Sequence, residues 1–221
     1  MLEREITQAA LAAGAEAVGF GDVSEGLYPE FGPLIRAVSL GCGLEASGGR
    51  VRFPDAAATA RLATAARAVA GVLRRARRRF FILPAEPVRQ PCYCAALYDR
   101  FSHKVAATCA GLGWIGKNGL LVSPQLGPAA VWATVLTDAP LAVGEPMLQG
   151  RCGKCDACRR ACPARAMRGR QWRRGMQLTD LLDLDACRRH LGRQADRECG
   201  RCMAACPYNF AATPRKRTAL R

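Results

Sequence analysis

Histidine and lysine are both scarce in this 221-residue chain, with two histidines and only four lysines among its 33 basic residues. The first scarcity narrows the side chains that titrate near neutral pH to His103 and His190. The second makes arginine the default surface cation. Long apolar runs are missing as well: no stretch of about 18 uninterrupted apolar residues occurs, which excludes a membrane-spanning helix. The opening MLEREITQAALAAG mixes acids and bases where a secretory signal would be apolar, and no twin-arginine signal is present. A cytoplasmic protein with no membrane partner is therefore expected.

What is abundant is cysteine. There are twelve, and eight of them fall between Cys152 and Cys206. In a reducing compartment such crowding favours metal or redox chemistry over a disulfide framework. Half the residues are hydrophobic and 23% are charged, enough for a buried core and too apolar for a disordered chain. The length suits one domain with an appendage, or two small ones.

Charge is divided unevenly. The net charge is +15, of which residues 1–150 carry +3 and residues 151–221 carry +12. A basic C-terminal part suits an acidic partner: RNA, a phosphorylated cofactor or an acidic electron carrier. Two iron–sulfur clusters bound through eight thiolates would lower that part to about +8, so RNA binding is not the favoured reading.

The N-terminal part reads as alternating helices and strands. Leu2 to Ala13 has helical apolar spacing and stops at Gly14. Ala17–Phe20, Ala37–Leu40, Phe80–Leu83, Leu120–Val122 and Ala129–Leu136 read as strands, Phe80–Leu83 buried and Ala129–Leu136 fully apolar and central. Gly41-Cys42-Gly43 and Ser47-Gly48-Gly49 mark a loop. Asp55 caps a long Ala/Arg-rich helix to about Arg78, and a further helix is expected from about Asp99 to Ala110. The expected organisation is an α/β domain over 1–145, a two-cluster module over 146–212, with Pro140–Gly150 as linker between them, and a basic tail over 213–221.

The cysteine spacing is the strongest signal. Cys152-x2-Cys155-x2-Cys158 can wrap one face of a cuboidal 4Fe–4S cluster, while Cys162, three residues on and followed by Pro163, points to a second cluster. Cys199-x2-Cys202-x3-Cys206-Pro207 supplies two ligands for the second cluster and returns Cys206 to the first. Cys187 completes the set. Zinc sites use four ligands in two pairs and need no exchanged endings.

Gly111-x-Gly113-x-x-Gly116 and Gly111-x4-Gly116-Lys117-Asn118 look by letter like a dinucleotide fingerprint and a P-loop. The first follows a helix and precedes a strand, the reverse of a Rossmann turn. The second lacks the Ser/Thr that a P-loop places on magnesium. What remains is a loop allowing close approach, displaying Trp114, Lys117 and Asn118, or a tight structural turn.

The run Ser102-His-Lys-Val-Ala-Ala-Thr-Cys-Ala-Gly-Leu-Gly-Trp-Ile-Gly-Lys-Asn-Gly-Leu-Leu-Val-Ser-Pro124, followed by Thr134–Asp138 and the two cysteine motifs ending in Cys206-Pro-Tyr-Asn209, resembles the epoxyqueuosine reductases. The resemblance covers about residues 100–209 and is closest to short, double-cluster relatives of that family. It implies an α/β domain of the nitroreductase type joined to a ferredoxin-like two-cluster module, as also in the related reductive dehalogenases. It implies cobalamin as the reacting cofactor, with Ser102, Lys104, Gly113, Trp114, Lys117 and Asn118 as candidates to bind it. The family places an acidic proton donor upstream of the glycine loop. The matching position here is Leu97, which makes nearby Asp99, together with His103, the candidate proton donors. The expected function is an iron–sulfur reductase fed by a reduced ferredoxin or flavodoxin-type donor and acting on a small-molecule or nucleoside substrate. A non-catalytic electron carrier and a tRNA-binding protein with structural clusters are the alternatives. The chain ends soon after its last cysteine, which suggests a form without the family's C-terminal repeat domain.

Overall fold

The computed structural model describes residues 1–25, 31–44, 46–47, 50–51, 55–85, 101–193 and 199–209. Helix α1 (Leu2–Ala12) is followed by strands β1 (Ala17–Asp22), β2 (Arg36–Gly43), β3 (Ala46–Ser47) and β4 (Arg50–Val51). Helix α2 (Ala56–Arg75) leads to β5 (Phe80–Leu83), and α3 (His103–Cys109) to β6 (Trp114–Ile115), β7 (Leu121–Val122) and β8 (Ala130–Thr137). Four short helices finish the described chain: α4 (Ala157–Ala161), α5 (Leu178–Leu181), α6 (Leu184–Gly192) and α7 (Arg201–Ala204).

The main sheet has the order β1-β2-β8-β5 and every neighbouring pair is antiparallel. Alternation sorts its side chains. Val38, Leu40 and Cys42 of β2 and Val131, Ala133 and Val135 of β8 share one core with Ile6 and Ala10 of α1 and Leu62, Val69 and Leu73 of α2. Ala37 and Leu136 point the other way, against Ala106 and Cys109 of α3. The sheet is thus covered on both faces, which is why β8 is apolar apart from Thr134 and Thr137, whose hydroxyls are hydrogen-bonded. Asp55 caps α2 as expected, its carboxylate accepting from the Ala58 amide at 2.8 Å.

Three readings are corrected. Gly41-Cys42-Gly43 is the end of β2 and not a loop: a Cβ at Gly41 would lie 2.7 Å from the Trp132 ring, so glycine here makes room for the cross-strand indole. β5 is an edge strand, and Phe80, Phe81 and Ile82 are only half-buried. The helix α2 ends at Arg75, short of Arg78, and Arg77 adopts a positive φ of 55°. Its last residue and an arginine beyond it turn to acids: Arg75 meets Glu5 at 2.9 Å and Arg79 meets Asp138 at 2.8 Å.

Helix α3 lies directly on β1. A Cβ at Gly21 would come within 2.8 Å of the Ala110 backbone nitrogen, and one at Gly19 within 2.8 Å of the Leu112 side chain. These two glycines let the end of α3 and the following loop sit against the sheet. Among the described residues no helix is long and apolar enough to cross a membrane.

Candidate metal and cofactor site

The glycine loop is a β-hairpin hinge. β6 and β7 pair antiparallel, Trp114 opposite Val122, and Gly116–Gly119 makes the turn. Gly113 has no room for a side chain, since a Cβ would sit 2.4 Å from the Val122 carbonyl oxygen. The order helix, hairpin, strand is that of neither a Rossmann turn nor a P-loop, as the sequence context indicates.

The turn meets the cysteine-bearing segment. Lys117 is 7% exposed and its ammonium donates to the Cys155 carbonyl at 3.0 Å and to Asp156 at 3.1 Å. The ammonium holds the Asp156 carboxyl below the usual carboxylate range, chiefly through that hydrogen bond. Asn118 donates to the Cys202 carbonyl at 3.5 Å, and its own carbonyl accepts from the Leu120 amide at 3.2 Å. Trp114 packs edge-on to Tyr208 with centroids 5.0 Å apart. These residues were expected to face an organic cofactor; the chain brings them instead against the cysteine segment.

The eight cysteines fall into two neighbourhoods. Cys152, Cys155, Cys158 and Cys206 line one small cavity, together with Lys117 and Asn118. Burial, then Cys152, Cys158 and Cys155 nearby, pushes the Cys206 thiol up to about 11. Burial, then Cys162 and Cys199, raises Cys187. Cys202 is pushed up to about 12 by burial first and then by Cys199, Cys158, Cys162 and Cys187. Among the described residues no three His, Cys, Asp or Glu side chains converge closely enough to hold a single metal ion. A tetrahedral zinc would draw its sulfurs to within about 3.8 Å of one another. Four thiols ringing a cavity suit a larger inorganic core, so the donor set fits a cluster.

A second, larger cavity of about 430 Å³ opens between α3 and the segment 172–181. Ser102, Lys104, Val105 and Thr108 line it from α3, Trp172, Met176 and Leu178 from the opposite wall, and Arg174 and Glu25, 3.1 Å apart, also border it. Lys104 donates to the Gly119 carbonyl at 2.9 Å. The cavity and the cysteine segment share a wall: Ile115, Trp172 and Leu181 line the cavity and belong to the apolar cluster against which Cys162 and Cys202 pack. Trp172, Met176 and Leu178 were not anticipated. The signal was there, because the 24 residues between Cys162 and Cys187 exceed what ligand spacing needs and are apolar at their end.

His103 does not face this cavity. It is 8% exposed; Nε2–H donates to the Pro84 carbonyl at 3.0 Å and Nδ1 accepts from the Thr134 hydroxyl at 2.8 Å. Both nitrogens are engaged by the protein, so nothing in this geometry supports the expected proton donation. Burial pushes the imidazole down to about 4, against the small raising effect of the Pro84 bond. The unfolded chain therefore binds a proton near pH 6.5 that the native chain refuses until about pH 4. Stability must fall as pH drops through that window. Between pH 7 and pH 5 the wild-type chain should lose about 2 kcal/mol more than His103→Gln, measured by urea denaturation under anaerobic conditions; equal losses would contradict a buried neutral imidazole. Asp99 lies outside the described residues, as do Leu97, Cys92 and Cys94.

The 4Fe-4S dicluster domain family matches residues 151–210. Among curated proteins, the epoxyqueuosine reductase of Pseudomonas aeruginosa is 31% identical over 118 residues, half of this chain and 32% of that enzyme. Among solved structures, an epoxyqueuosine reductase with a tRNA-Tyr epoxyqueuosine-modified stem loop aligns over 94% of this chain and 65% of its own, with 17% identity and a TM-score of 0.64. A reductive dehalogenase described as B12-dependent aligns over 92% of this chain and 31% of its own, with 24% identity and a TM-score of 0.64. The chain covers less than two thirds of each of these relatives. Their fold is the α/β domain with a ferredoxin-like module expected from sequence. The chain thus carries a 4Fe-4S dicluster domain over residues 151–210, is similar in sequence over half its length to an epoxyqueuosine reductase, and shares its fold with epoxyqueuosine reductases and a reductive dehalogenase.

Proposed function

We propose that the chain is a reductase in which Cys152, Cys155, Cys158 and Cys206 hold one 4Fe–4S cluster and Cys162, Cys187, Cys199 and Cys202 hold the other, delivering single electrons to a corrinoid in the 430 Å³ cavity. The observation that carries this reading is one apolar cluster common to both sites: Ile115, Trp172 and Leu181 of it line the cavity, and Cys162 and Cys202 pack against it.

The cavity's chemistry fits part of such a group. Val105, Leu148, Trp172 and Leu178 offer apolar surface for one face of a macrocycle, while Ser102 and Lys104 supply polar contacts for amide or phosphate oxygens. When bound, a corrinoid supplies a cobalt centre that is strongly nucleophilic in its low-valent state. The protein contributes the rest. α3 positions the polar contacts, the Trp172–Leu181 wall excludes water, and the thiolate-bound clusters set the driving potential. The B12-dependent dehalogenase and the tRNA-bound reductase support this choice of cofactor and a nucleoside or small-molecule substrate. The excess of basic residues after position 150 suits an acidic one-electron donor of the ferredoxin or flavodoxin type.

Anaerobic addition of cob(II)alamin to the reconstituted protein tests the reading. A base-off shift in the visible and EPR spectra is expected, and Val105→Trp, which fills the cavity from α3, should weaken binding by at least about tenfold while leaving iron content unchanged. Intact clusters with an unaltered cobalamin spectrum would replace this reading with that of an electron carrier.

A further inference from the structure

The turn Gly116–Gly119 reaches out of the α/β domain and touches one residue from each cysteine neighbourhood. Lys117 grips Cys155 through its carbonyl, and Asn118 grips Cys202 through its carbonyl. Both side chains also line the cavity ringed by Cys152, Cys155, Cys158 and Cys206. Lys117 is buried to 7% exposure, whereas its counter-ion Asp156 keeps a third of its side chain in solvent. Water therefore screens the carboxylate far more than the ammonium, and the pair presents a net positive field to the cavity.

We propose that Lys117 is a fixed electrostatic determinant of the first cluster's reduction potential, making that cluster the more easily reduced of the two. The inference rests on assigning Cys152, Cys155, Cys158 and Cys206 to one cluster. Reduction adds one negative charge to a cluster, and a nearby buried cation stabilises the reduced form selectively. Among the described residues Lys117 is the one buried lysine or arginine, and Asn118, the contact from the turn to Cys202, carries no charge. The one-electron-reduced protein then holds its electron at the cluster beside Lys117. Lys117 acts here as a positioning and tuning residue, not as a group that meets substrate.

The test uses the full-length holoprotein and an EPR-monitored redox titration of wild type, Lys117→Met, Lys117→Arg and Asp156→Asn. In Lys117→Met one cluster step should move to lower potential, its reduced-to-oxidised ratio at fixed ambient potential falling about tenfold, which is about 59 mV for one electron. The other step should stay in place. Lys117→Arg should restore the wild-type value, and Asp156→Asn, which removes the compensating charge, should shift the same step upwards. A purely structural role would not give opposite signs for the two charge removals. Two unmoved steps, or both moving together, would overturn the proposal. Should Lys117→Met fail to keep its iron, Asp156→Asn decides: a raised single step sustains the proposal and an unmoved one ends it. A wild-type protein whose two clusters reduce in one unresolved step would also overturn the proposed ordering, whereas one holding only about four irons would defeat the ligand assignment itself.

Discussion

Cys206→Ala should halve the iron bound per chain and abolish reduction of added cobalamin, while the other cluster stays reducible and visible by EPR. Cys206 is the residue whose neighbours in sequence and in space differ most sharply. In sequence it follows Cys199 and Cys202, yet it shares a cavity with Cys152, Cys155 and Cys158. Losing it should therefore destroy the cluster built mainly from the first motif and spare the one built from Cys162, Cys187, Cys199 and Cys202. A Cys187→Ala variant should do the reverse. If Cys206→Ala instead lost the same cluster as Cys187→Ala, ligands would not be exchanged between the two motifs. Total loss of iron in Cys206→Ala alone, with the fold intact, would point to a single shared centre. A one-ligand deletion leaves one iron held only by the core's three sulfides, the position from which the cluster then loses iron.

The second large effect is structural. Gly127 sits at a φ of +67°, and a Cβ added there would lie 2.2 Å from the Tyr208 carbonyl oxygen and 2.7 Å from the Asn209 Cα. Both atoms belong to backbone and cannot rotate aside. Gly127→Ala should thus lower stability by about 3 kcal/mol or more, from the left-handed strain and the forced separation together. For a chain of this size that corresponds to roughly 10 °C in the melting temperature. Tyr208 packs on Trp114 and lies two residues from Cys206, so the displacement should also speed loss of the first cluster in air. Gly192→Ala provides the contrast: nothing lies within 4 Å of its added Cβ, and it ends helix α6, so it should be neutral or slightly stabilising.

Much of this was legible in the chain itself, for physical reasons. Cluster ligation repeats at short spacing, so the cysteine motifs show their chemistry without tertiary information. An apolar run as long as Val131–Leu136 can only be a strand covered on both faces, and Asp55 announces α2 by its cap. What stayed hidden depends on distant partners. Lys117 and Asn118 look available for a phosphate until their partners, 38 and 84 residues away, are seen to be cysteine carbonyls. Gly41 looks like a loop residue until Trp132 lies across it. His103 looked chemically poised from its neighbourhood, but Thr134 and Pro84 engage both of its nitrogens from other strands and loops. Burial and pairing, not residue type, decide these roles.

The most direct test of the account is the inorganic content of the anaerobically reconstituted chain, with iron, acid-labile sulfide and zinc measured on the same sample. About eight irons and eight sulfides per chain without zinc are expected, two cubanes on eight thiolates. Stoichiometric zinc, or about four irons with half the cysteines open to alkylation, would contradict it.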